Sequence, residues 1–147
     1  MNNRGARRRP LEILIVEDNP GDVRLVEEAL VESGFNTRLT IVREGDLAAE
    51  QIREAGRSRN RPDIILLDLH LGDISGLDIL AETKANEAVQ AIPIIMFSTS
   101  GEPEDIAASY RGHANAYVQK PQELDDFLQA VSNIESFWIS TVLLPEE

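Results

Sequence analysis

Residues 11–20 read LEILIVEDNP. Five of the first six are apolar, two acids follow, and Asn-Pro closes the stretch. An apolar run this short and continuous is the mark of a strand covered on both faces, as in a parallel sheet. Asn19 then supplies an N-cap and Pro20 the first residue of a helix. The same grammar recurs along the chain. Val23, Val26 and Leu30 recur at helical spacing until Ser33-Gly34 stops them, and Thr37–Val42 forms a second strand. A helix over 46–55 and a polar loop over 56–62 lead to Ile64–Leu67 (IILL), the most apolar strand. A helix over 75–85 turns Leu77, Leu80 and Ala81 inward. Strand 94–97, helix 103–110 and strand 116–118 follow. The last helix starts near Pro121, with Leu124, Phe127, Leu128, Val131, Ile134 and Trp138 on one stripe. Five strand–helix units imply an α/β fold, a doubly wound five-stranded parallel sheet with five helices.

Composition narrows the function classes. The chain has 147 residues, with 14 Lys and Arg against 26 Asp and Glu. Arg4, Arg7, Arg8 and Arg9 lie in the first ten residues, which read as a flexible basic tail over 1–10. Everything after them carries 10 basic against 26 acidic residues. Such a body is unsuited to nucleic acid, whose affinity rests on cations neutralising phosphates, and to anionic membrane surfaces. The absence of cysteine removes disulfides, zinc thiolates and thiol catalysis. No apolar run approaches the ~20 residues of a membrane span. The expectation is a cytoplasmic protein without direct nucleic-acid or membrane partners.

In open α/β sheets, ligands bind beyond the carboxyl ends of the strands. Those ends carry Glu17-Asp18 after the first strand, Asp68 after the third, Ser98-Thr99-Ser100 after the fourth, and Lys120-Pro121 after the fifth. Each piece alone is ordinary: a capping pair, a strand-end acid, a polar loop, a surface lysine. Together they put three carboxylates, a hydroxyl and an ammonium on one edge. Three carboxylates repel one another unless a cation is shared. Oxygen ligands with open positions suit Mg²⁺, while lysine and hydroxyl suit a phosphoryl group. A carboxylate can also be the nucleophile and carry that group as an acyl phosphate. Asp68, at the end of a rigid apolar strand, is the candidate.

The pieces VEDNPGD (16–22), LLDLHLGDISG (66–76), MFSTS (96–100) and YVQKP (117–121) resemble the receiver domain of two-component response regulators, in its order and spacing. The resemblance implies a flavodoxin-like sheet in the order 2-1-3-4-5. It also implies that Glu17 and Asp18 form the acidic metal pair and that Asp68 accepts the phosphoryl group. Ser98 would then be the switch hydroxyl, Lys120 the conserved-type lysine and Tyr117 the aromatic switch residue. His70 would lend its backbone carbonyl to the metal, and its side chain would tune loss of phosphate. Mg²⁺ is the implied cofactor and a histidine kinase the implied partner. DNPGDVRLVEEAL, the 105–110 stretch and FWIS at 137–140 resemble small stand-alone regulators associated with phytochrome-type kinases. The receiver unit then spans 11–138 and a C-terminal extension 139–147, with no room for an output domain.

Several finer expectations follow. Gly72 stands where the family often has Pro, which leaves the loop after Asp68 freer. The resemblance also implies a cis bond between Lys120 and Pro121. Phe137 and the 139–144 segment exceed what one helix stripe can bury, which points to a two-fold homodimer. Two rivals are disfavoured. A flavodoxin-like carrier needs a neutral first loop for a flavin phosphate, where Glu17 and Asp18 stand. A haloacid-dehalogenase-like phosphatase needs a second acid two residues beyond Asp68, where His70 stands.

Overall fold

The computed structural model describes residues 9–58 and 60–145. The expected basic tail lies largely outside the described residues, as do the last two of the C-terminal extension. Five parallel strands, β1 (Leu11–Val16), β2 (Thr37–Val42), β3 (Ile64–Leu67), β4 (Ile94–Ser98) and β5 (Ala116–Gln119), stand in the order β2-β1-β3-β4-β5. The helices are α1 (Pro20–Glu32), α2 (Gly45–Ala55), α3 (Gly76–Ala85), α4 (Pro103–Arg111) and α5 (Leu124–Ser136). No helix among the described residues is long and apolar enough to cross a membrane.

Strand alternation explains why the central strands read as apolar runs. Ile13, Ile15, Ile64, Leu66, Ile95 and Phe97 face α1 and α5, where Val26, Leu30, Phe127 and Val131 meet them. Leu14, Val16, Ile65, Leu67, Ile94 and Met96 face Ala48, Ile52, Ile79 and Leu80 of α2 and α3. A fully buried side chain of this kind contributes about 1.5–3 kcal/mol. Two such layers offset the cost of burying charge at one end of the sheet.

Four details differ from the sequence reading. In α3 the buried residues are Gly76, Ile79, Leu80 and Thr83, and Ala81 faces solvent. Thr83 tolerates burial because its hydroxyl donates to the Ile79 carbonyl at 2.7 Å. Helix α5 begins at Leu124, which is exposed. Every peptide bond among the described residues is trans, including Lys120–Pro121; the ammonium reaches its partners without the cis turn. Beyond α5 a π-helical turn (Phe137–Thr141), closed by Val142 N–H donating to the Phe137 carbonyl at 3.1 Å, buries Ile139 in the core. Leu144 packs against the same cluster, whereas Phe137 and Leu143 stay exposed.

Candidate functional site

The site sits at the carboxyl ends of β1 and β3, where the strand order reverses and a crevice opens. Main-chain bonds lock its walls. Asp68 N–H donates to the Val16 carbonyl at 3.0 Å, and Lys120 N–H to the Ser98 carbonyl at 2.7 Å. Asn19 takes its expected capping role, its Oδ1 accepting from Gly21 and Asp22 N–H. Asn19 N–H in turn donates to Glu17 Oε2 at 3.1 Å.

Glu17, Asp68 and Lys120 are buried, at 3%, 7% and 5% exposure. Lysine has three donors and no acceptor. Lys120 Nζ spends them on Glu17 Oε1 at 2.6 Å, Asp22 Oδ2 at 2.8 Å and Asp68 Oδ2 at 3.2 Å. The Phe97 ring, 5.8 Å away at its centroid, closes the remaining side. Burial alone would pull this ammonium down, but the bonds to Asp22 and Glu17 outweigh it and hold it above its ordinary value. Burial pushes the Glu17 carboxyl up to about 7, against the Lys120 hydrogen bond and with help from the charge on Asp68.

Carboxylate oxygens of Glu17, Asp18 and Asp68 all lie within 4.8 Å of one another. An all-oxygen set of three carboxyl groups of this kind fits a hard dication such as Mg²⁺. A Cβ at Gly72, in the loop after β3, would sit 3.5 Å from Asp18 Oδ2, an ordinary contact, so the approach of this loop to Asp18 does not depend on glycine. That loop is tied down despite the missing proline. Asp73 accepts from Gly45 N–H at 3.0 Å and Asp46 N–H at 2.9 Å, at the start of α2. The Asp46 and Gly45 N–H bonds hold the Asp73 carboxyl down at about 2. Gly76 is equally constrained, because its Cβ would fall 2.1 Å from the Asp68 carbonyl oxygen.

The remaining expected residues line the same edge. Ser98 is fully buried at the end of β4, its Oγ accepting from Ser100 N–H at 3.3 Å. Tyr117 Oη donates to the Ser100 carbonyl at 2.8 Å, and its own N–H donates to Tyr110 Oη at 3.1 Å. Ser100 Oγ donates to Asp105 Oδ2, which lies 4.0 Å from His70 Nε2. The His70 imidazole is exposed, 66% by side chain. Asp22, Asp73 and Asp105 were not singled out from sequence. Only Asp22 carries a local signal, three residues after the Asn19 cap and so facing the strand ends. Elsewhere a groove of about 550 Å³ opens beside β1, β2 and α2, but Arg9 pairs with Asp63 there and Arg38 with Glu12.

Residues 13–132 match the response regulator receiver domain. Response regulator Rcp1 of Synechocystis sp. is 42% identical over 138 residues, 92% of this chain and 94% of that protein. The crystal structure of the phosphorylated cyanobacterial phytochrome response regulator RcpA superposes with a TM-score of 0.87 at 41% identity, covering 93% of this chain and 99% of that one. The Mn²⁺-bound form of Rcp1 gives 0.86 at 42% identity, covering 93% and 100%. The match spans most of the chain and includes every strand that carries the acidic cleft, so this protein belongs to the response regulator receiver domain family.

Proposed function

We propose that this receiver accepts a phosphoryl group on Asp68 from a phosphohistidine of a phytochrome-type histidine kinase, in the cytoplasm and with Mg²⁺ bound. The observation that carries the reading is the cleft itself. A buried ammonium bridges Glu17 and Asp68, and those two join Asp18 in a three-carboxyl oxygen cluster. Glu17, Asp18, Asp68 and the His70 carbonyl would hold the ion, which when bound neutralises charge on the incoming phosphoryl oxygens. An Asp68 carboxylate oxygen forms the bond to phosphorus while the bond to the donor imidazole breaks, and the freed imidazole nitrogen takes a proton from solvent. Lys120 then pairs with a phosphoryl oxygen, and Ser98 donates its hydroxyl to another. Positioning and charge neutralisation supply the rate enhancement. Ser98 and Tyr117 would relay occupancy of the site to the β4–β5 surface. The test is transfer from an autophosphorylated phytochrome-type kinase. Label should move to the parent chain and not to Asp68→Asn; equal transfer to both contradicts the reading.

The receiver unit is taken as residues 11–138 and the C-terminal extension as 139–147, with Phe137 and the 139–144 segment pairing two copies about a two-fold axis. Exposed Phe137 and Leu143 support this, while Ile139 and Leu144 serve the protein's own core.

A further inference from the structure

Two sets of carboxylates overlap in the cleft. Lys120 Nζ binds Glu17, Asp22 and Asp68, whereas the cluster able to hold a dication is Glu17, Asp18 and Asp68. Glu17 and Asp68 belong to both sets, so an ammonium and a dication compete for the same two carboxylates and repel each other across them. Asp22 belongs only to the lysine's set. Its contact, at 2.8 Å, is shorter than the one to Asp68, at 3.2 Å. Its side chain is held in the first turn of α1, where its N–H is capped by Asn19, and is only 21% exposed.

We propose that Asp22 is a positioning residue for Lys120, keeping the ammonium inside the cleft when a divalent cation takes over Glu17 and Asp68. This rests on the phosphoacceptor reading and adds a partner that stays with the lysine in the metal-loaded state. Without Asp22 the ammonium has two partners left, both wanted by the metal. Two consequences follow: the lysine resists metal entry, and once displaced it swings into solvent.

The chain has only two lysines, Lys84 and Lys120, so lysine-selective ¹⁵N,¹³C labelling yields two side-chain signals. Mg²⁺ is titrated into the full chain while backbone amides of residues 17–18 and 68–70 and the lysine Nζ signals are followed. Asp22→Asn is expected to weaken Mg²⁺ binding roughly fivefold or more, the low end of ordinary coupling between sites. In Mg²⁺-saturated parent protein the Lys120 ammonium should keep a slowly exchanging signal, and in Mg²⁺-saturated Asp22→Asn that signal should broaden toward free lysine. In a Lys120→Gln background the same Asp22→Asn change should alter Mg²⁺ affinity by less than about twofold, because the competing ammonium is gone. Equal weakening in both backgrounds would overturn the proposal, since Asp22 would then act on the metal directly. So would unchanged affinity together with an unchanged Lys120 signal in Asp22→Asn. If the parent takes up no Mg²⁺ at these acids, the phosphoacceptor reading fails with it. Should Lys120→Gln not fold, the Lys120 signal in Asp22→Asn still decides, because loss of a charge near the metal would not by itself release the ammonium.

Discussion

Replacing Lys120 by Gln removes the cation that, among the described residues, sits between Glu17, Asp22 and Asp68, and the structure sets both the size and the conditions of the effect. Three ionic hydrogen bonds of 2.6, 2.8 and 3.2 Å disappear, with Glu17 and Asp68 left almost fully buried. Breaking a buried pair by deleting one partner costs about 3–5 kcal/mol, because the surviving charge is stranded. In a domain of this size that lowers the melting temperature by roughly 10 °C or more. The loss should depend on pH. Glu17 already sits at about 7, well above its unfolded 4.5, and without Lys120 its folded value rises further. Between the unfolded and folded values the native state binds more protons than the unfolded state, so the variant's stability falls as pH rises through that window. The deficit against the parent should therefore be large at pH 8 and small near pH 5. Millimolar Mg²⁺ should restore much of it at pH 8 by supplying another counter-charge. Urea denaturation across pH, with and without Mg²⁺, measures all three. A variant as stable as the parent at pH 8 without Mg²⁺ would refute the reasoning, as would a deficit independent of pH and metal.

Three further outcomes are expected. Gly76→Ala should lose about 3 kcal/mol or more in denaturation, the upper end of overpacking costs, because its Cβ would meet the Asp68 carbonyl oxygen at 2.1 Å; a loss within experimental error would show that this backbone yields freely. Glu135 is 1% exposed, and burial pushes its carboxyl up, offset only in part by the Ser33 and Thr37 hydroxyls. The native state thus loses stability as pH rises from about 4.5 through the folded value, and Glu135→Gln should flatten that fall in a pH series of melting temperatures. Phe137→Ser combined with Leu143→Ser should turn a two-fold dimer into a monomer by light scattering; a parent that is monomeric with and without phosphorylation removes the dimer.

The sheet was legible because its signal is local. Strands buried on both faces are short apolar runs, so Thr37–Val42 and Ile64–Leu67 stand where the residues alone put them. The strand ends are equally local, and they carry Glu17, Asp18, Asp68, Ser98 and Lys120. What could not be read was long-range. Asp73 meets the start of α2, 28 positions earlier in the chain, and no pattern around residue 73 announces it. Asp22 has the local pattern of an ordinary first-turn acid, and its role depends on a lysine 98 positions away. Amphipathic periodicity chose Ala81 over Thr83 in α3, because hydropathy does not register that a threonine can satisfy its hydroxyl on its own helix. The aromatic tail suggested more exposed surface than exists, since a π-helical turn rotates Ile139 into the core.

The central claim, that Asp68 is the phosphoacceptor of a Mg²⁺-dependent site, is tested most directly by mapping the modification. The full chain is incubated with acetyl phosphate and Mg²⁺, trapped by borohydride reduction, digested and sequenced by mass spectrometry. The account predicts a single reduced aspartate, Asp68, absent when Mg²⁺ is chelated and absent in Asp68→Asn. Modification of another residue, or equal uptake by Asp68→Asn under the same conditions, would contradict it.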